Sequence, residues 1–172
     1  MARRIVSVTT ITPTATADTT NLVDATYPFI LRGGSATQLN RIWEIAINGQ
    51  AAASSSPTFM ILSLDSQVGS GANSNGAGQV DSSMDPATAA LAAPAITGNT
   101  NATNKPQRST SAHLLNCSLN AYGGNFFWRA NRVEECPAVL GNAGLSQSEA
   151  SLSAFTGGTP GAIGAHMIYE TL

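Results

Sequence analysis

Apolar and polar residues alternate along most of this chain, and the alternation has the period of two that belongs to strands. "RIVSVTTIT" (residues 3–11) is rich in β-branched residues and alternates Ile5, Ser7 and Thr9 with Val6 and Val8, which predicts a first strand. "ATYPFILR" (25–32) predicts a second, ended by Gly33-Gly34, and Pro28 assigns it to a sheet edge or a bulge because proline donates nothing to a ladder. In "LNRIWEIAIN" (39–48), Leu39, Trp43, Ile45 and Ile47 share one parity, and Arg41 on the same parity marks where the strand emerges to solvent. Asn48-Gly49 and the Ser54-Ser55-Ser56-Pro57 cluster then break the pattern. "TFMILSLD" (58–65) is apolar on both parities, as in a strand covered on both faces. These two segments read as core strands of a hairpin, joined by a loop of about eight to ten residues.

Residues 66–111 differ in kind, being small, polar and almost free of large side chains. Asp85 and Pro86 can open a short helix over "ATAALAA", which Pro94 stops. So long a connection inside an all-β pattern predicts an excursion over the outer surface. Strand patterns resume at 112–120, 125–131, 149–155 and 162–172. Turn residues separate them at Tyr122-Gly123-Gly124, Cys136-Pro137, Gly141-Asn142 and Gly157–Gly161. In the last segment Ile163, Ala165, Met167 and Tyr169 share one face and His166, Ile168 and Glu170 the other. Within "NFFWRAN", Trp128 shares its face with Phe126 and opposes Phe127 and Arg129, so the run is read as packed on both sides. About eight strands punctuated by Gly and Pro, with no long amphipathic helix, predict one all-β domain over 1–172. The expected form is an antiparallel β-sandwich, most simply a jelly roll, with residues 1–20 as an extended arm.

Composition sharpens this picture. Only 10% of residues are charged, against about 25% in ordinary soluble domains, and the chain has a single lysine, Lys105. A neutral surface of small polar residues is poorly protected against association, and loss of charge also marks the buried centre of interfaces. A secreted β protein favouring small hydroxylated residues has the same composition. The formal charge of -2 leaves no footprint for a nucleic-acid backbone, and Arg3-Arg4 is far short of a basic arm. The apolar stretch Ile5–Val8 is too short for the roughly 7–15 residues of a signal core, and no run approaches a membrane span of about 20. Cys117 and Cys136 allow at most one bridge; with no sign of export, free thiols are expected.

The search for reactive chemistry yields few parts. No nucleophile elbow, metalloprotease pair or phosphate loop occurs. His113 and His166 fall in predicted strands, as sheet residues. Glu134 and Glu135, if extended, point to opposite faces and make no acid/base pair. Asp65, Asp81 and Asp85 would surround a calcium ion only if the long loop folded back, and their spacing matches no loop pattern. Trp43, Tyr122 and Trp128 are candidates for a sugar-stacking platform, with core or subunit packing the plainer reading of Trp43. The chain is read as no enzyme, without metal or cofactor.

The order of these strands resembles the jelly-roll capsid decoration (cement) proteins of tailed bacteriophages. The likeness spans roughly residues 3–170 in layout. It runs from a Thr-rich N-terminal arm through "RIWEIAINGQAAASSSPTFMILSLDS" and a long Gly/Ala/Pro loop to "SLNAYGGNFFWRA", a Pro-bearing loop and "SLSAFTGGTPGAIGAHMIYE". The resemblance implies a structural virion protein, made in the host cytoplasm, that binds the outer capsid surface. It implies that the protein bridges major capsid protein subunits, often as a homotrimer, without contact to nucleic acid or membrane. Candidate interface residues are Arg3, Arg4, Trp43, Tyr122, Trp128 and Arg129. Two alternatives remain: a carbohydrate-binding jelly-roll module of a fibre or adhesin, with an exposed aromatic patch near Trp128 or Tyr122, and the major coat protein of a small virus.

Overall fold

The computed structural model describes residues 29–50, 57–68, 84, 95–97, 106–120, 122–142, 148–154 and 163–172. They form strands β1 (Phe29–Arg32), β2 (Leu39–Gly49), β3 (Pro57–Gln67), β4 (Gln107–Asn120) and β5 (Asn125–Arg129). After a 3-10 turn at Val133–Glu135 come β6 (Ala138–Leu140), β7 (Glu149–Ala154) and β8 (Ile163–Thr171). Two antiparallel sheets pack face to face, an all-β sandwich. Sheet A has the order β1-β7-β3-β4. In sheet B, β2 is central, with β8 along one side and β5 and β6 end to end along the other. The expected strand at 3–11, the arm at 1–20 and the short helix after Asp85 lie outside the described residues.

Between the sheets, Phe29, Leu31, Ile42, Ile45, Ile47, Met60, Leu62, Leu119, Val139, Ala150 and Leu152 form one buried cluster. The two faces expected for the last strand are observed, and it is the Ile163, Ala165, Met167 and Tyr169 face that packs against this cluster. Burial of such aliphatic side chains contributes roughly 1.5–3 kcal/mol each. From Met60 to Asp65 strand β3 is covered on both faces, as expected, with Met60 and Leu62 in the core and Ile61, Ser63 and Asp65 buried on the other side.

The hairpin expected from residues 39–65 does not form. Both edges of β2 are taken, by β8 and by β5 and β6, while β3 pairs with β4 and β7 in the opposite sheet. The connection after Gly49 therefore passes from one sheet to the other. A second correction concerns Trp43. Ile42 faces Tyr169 and Glu44 faces Ile168, so Trp43 is an extra residue in the ladder, a β-bulge. One extra residue inverts the parity: Ile42 and Ile45 both face the core, and Trp43 leaves the face it was expected to share with Ile45 and Ile47.

Other departures have equally local causes. Residues 107–111, read as loop because they are small and polar, belong to β4, where Gln107 and Arg108 pair with Gln67 and Asp65. Glu134 and Glu135 sit in the 3-10 turn, not in a strand, and Glu135 Oε2 accepts the Asn131 N–H at 2.9 Å. Strand β6, missed between two turn signals, is three residues long and buries only Val139. Phe127 is 62% exposed, so "NFFWR" is packed on one side rather than two.

Two glycines make sharp corners. Chain passage from β4 in sheet A to β5 in sheet B uses the Tyr122–Gly124 turn, where a Cβ at Gly124 would run into the Asn120 carbonyl. Gly141, just after β6, has φ +76°, and a Cβ there would lie 2.5 Å from the Ala36 carbonyl oxygen. Gly141→Ala is therefore expected to lower unfolding stability by about 1–3 kcal/mol, read from urea denaturation; an unchanged midpoint would contradict this account of the corner.

Candidate functional site

The two sheets present outer faces of opposite character. Sheet B's outer face is open. Its cross-strand rows run Arg129–Glu44–Ile168, Phe127–Ala46–His166 and Asn125–Asn48–Gly164, with Arg41 opposite Glu170 and Leu140 opposite Leu39 nearer the other end. Leu172 continues the last row through paired backbone hydrogen bonds with Leu39. Phe127, Leu140 and Leu172 are each more than half exposed. Trp43 joins this face: its indole N–H donates to Glu170 Oε2 at 3.3 Å, and Glu170 lies 3.9 Å from Arg41. Two apolar groups thus flank a band in which two arginines balance two glutamates. An exposed ion pair of this geometry contributes little stability, whereas exposed apolar groups beside such a band are the composition of contact surfaces.

The structure sorts the candidate residues unevenly. Trp43 and Arg129 come together on the open face, though Trp43 does so only through the bulge. Tyr122 is exposed at the β4–β5 turn, its N–H held by Asn120 Oδ1 at 2.9 Å. Trp128 points inward with Phe126 and packs against the core, so it supplies no exposed platform. Arg3 and Arg4 lie outside the described residues. Phe127, Leu140 and Leu172 were not singled out from sequence, although the alternation that turns Trp128 inward turns Phe127 outward. Cys117 and Cys136 are free thiols, as expected. Burial pushes the Cys117 thiol up to about 11 and also raises Cys136, which leaves both poor nucleophiles.

Most of sheet A's outer face is buried; toward one end of the β3–β4 pair, Phe59 and Asn116 are half-buried and Ser118 is exposed. Ile30, Arg32, Glu149, Ser151, Ser153, Ile61, Ser63, Asp65 and Arg108 project from the rest of this face, and all are buried. Ile96 packs on Ile30 while backbone bonds from Ile96 and Thr97 cap the β1 edge. Two arginines and two carboxylates meet there. Arg32 lies opposite Glu149, with nitrogen and oxygen 3.5 Å apart. Arg108 lies opposite Asp65 and donates to Ser153 Oγ, while Ser151 Oγ donates to Asp65 Oδ1. Sequence reading missed this quartet because its members come from four distant segments. Only an Asp in the otherwise buried run "TFMILSLD" could have signalled it. Asp65, considered from sequence for calcium, is taken up by these contacts; among the described residues no group of His, Cys, Asp or Glu has the arrangement of a metal site. Nor is any described helix long and apolar enough to cross a membrane.

Burial raises the Asp65 carboxyl well above its usual range, and the Glu149 charge adds to this; Ser151 and Arg108 oppose it. A protonated Asp65 donates to Glu149, which gives its Oδ2 the partner that it lacks when ionised. The sign of the pH dependence follows. Below the ordinary carboxyl value of 3.8 both folded and unfolded chains hold the proton. Above it the unfolded chain releases the proton while the folded chain still holds it, so stability falls as pH rises toward the folded value. Asp65→Asn keeps the acceptor for Ser151 and supplies an N–H to Glu149. Its stability is expected to match the wild type near pH 4 and to exceed it at pH 7, measured by denaturant titration at each pH; a parallel decline in both proteins would overturn the assignment.

With the geometry of both faces described, comparison with known proteins adds no relative: no family model, curated protein or solved structure matches this chain.

Proposed function

We propose that this protein is a structural virion component, a decoration protein bound to the outside of a tailed-phage head, where it bridges major capsid protein subunits. The observation that carries the reading is the open face of sheet B: exposed Phe127, Leu140 and Leu172 around a balanced band of Arg41, Glu44, Arg129 and Glu170. A face of this kind can be covered by a protein partner with little uncompensated charge to desolvate. The low charge of the whole chain supports the same reading, since close packing among neighbours meets little repulsion. Sheet A's outer face is mostly buried, which makes sheet B's the more open of the two.

In this reading the sandwich is a jelly roll and the working unit a homotrimer. Support for the jelly roll is the order of sheet A, β1-β7-β3-β4, in which strands distant along the chain are neighbours. A carbohydrate-binding module is the second reading, favoured by Phe127 and Tyr122 in the open. It loses the Trp128 contribution, because that indole packs on the core.

Mass spectrometry and imaging of purified particles test the proposal directly: the chain is expected in many copies on the outer shell. Phe127→Asp combined with Leu140→Asp is expected to reduce occupancy of isolated heads by at least about tenfold, the scale of a single interface anchor, with the thermal midpoint unchanged. Full occupancy by the double variant, or glycan-array binding without binding to heads, would refute the decoration reading.

A further inference from the structure

Along the open face of sheet B, the cross-strand rows of Leu39, Arg41, Glu44 and Ala46 succeed one another, with the bulge residue Trp43 between the middle two. The first and last of these rows are apolar or aromatic at both flanks. Leu140 and Leu172 stand on either side of Leu39, and Phe127 and His166 on either side of Ala46, all four exposed. The two middle rows carry opposite charges on β2, Arg41 in one and Glu44 in the other. The pattern therefore has a centre at Trp43. A half-turn about an axis lying across the strands at that point keeps each strand over its own copy and reverses the order of the rows. Leu140 of one molecule then meets Phe127 of the other, Leu172 meets His166, and Arg41 meets Glu44. A half-turn about an axis along the strands would instead set Arg41 on Arg41 and Glu44 on Glu44, which like-charge repulsion disfavours.

We propose that the open face of sheet B is self-complementary and binds a second copy of this chain, the two related by a two-fold axis across the strands at Trp43. Every contact is then made twice, as in any isologous interface, and the sheets stack face to face with their strands close to alignment. Strand β2 has 11 residues, a length of about 35 Å, and three strands about 4.8 Å apart give a width of roughly 14 Å. The face thus offers about 500 Å² per copy and about 1,000 Å² for the pair, the lower bound of a specific interface. Such a pair is weak and reversible, with micromolar rather than nanomolar affinity. The formal charge of -2 opposes it little. The inference goes beyond the decoration reading and stands without it: the pair is the form off the head, and under that reading a head and a second copy compete for one face.

Sedimentation velocity of the intact chain, from low micromolar concentration into the millimolar range, tests it, and a monomer–dimer equilibrium is expected. Arg41→Glu and Glu44→Arg each set like charges against one another twice in the pair, and each alone is expected to weaken pairing by at least about tenfold. Mixed in equal amounts, the two variants meet with opposite charges, and pairing is expected to return to within about threefold of the wild type. Thermal midpoints of the separate variants, expected to match the wild type, distinguish lost pairing from lost fold. A wild-type chain that stays monomeric throughout, or forms a trimer instead, would overturn the proposal. Pairing untouched by either substitution, or no recovery in the mixture of folded variants, would overturn it equally. A monomer that still binds heads sinks this inference alone, whereas a dimer built this way that ignores heads sinks the decoration reading alone.

Discussion

Strand β2 is the constraint on which the sandwich rests. It is hydrogen-bonded along both edges, to β8 on one side and to β5 and β6 on the other, and it supplies three fully buried isoleucines to the core. A strand so occupied cannot accept a hairpin partner, so the chain must leave sheet B after Gly49 and begin β3 in sheet A. The bulge at Trp43 adds the second condition. By inserting one residue it keeps Ile42 and Ile45 both inward and places Trp43 beside Glu170 on the outer face. Apolar core and mixed outer face are therefore consequences of the same local irregularity.

The distribution of charge follows from the two faces. Among the described residues, two arginines and two carboxylates are buried, on the outer face of sheet A. Desolvating four ionisable groups is expensive unless they compensate one another. Arg32 against Glu149, Arg108 against Asp65, and the hydroxyls of Ser151 and Ser153 provide that compensation. Burial, and then the neighbouring Glu149 charge, raise the Asp65 carboxyl, which favours its neutral form and so eases the repulsion between the two. Such a network ties β1, β7, β3 and β4 into one register, since a slip by one residue would strand a charge against an aliphatic neighbour.

The open face of sheet B has the opposite economy. Its arginines and glutamates remain in contact with water, and Phe127, Leu140 and Leu172 are left uncovered. This is the composition of contact surfaces. The decoration reading takes its strength from this asymmetry between a largely buried face and an available one, joined to the layout of the strands.

Much of the sandwich was legible in the chain itself. Period-two alternation locates β2, β3, β5, β7 and β8, because a side chain on a strand must face either core or surface. The division of β8 into two faces and the two-sided burial of β3 follow from it directly, though not which face of β8 is inward. Alternation also places Trp128 with Phe126, though not which face of β5 is exposed. Three matters were decided only by tertiary structure. Which strands share a sheet depends on edges already occupied by distant segments, so the expected β2–β3 hairpin gave way. Trp43 changes face because a bulge breaks the parity count, and no local residue pattern announces it. The Arg32–Asp65–Arg108–Glu149 quartet exists because four strands far apart in the chain lie side by side, and electrostatic compensation between buried charges is a property of distance in space.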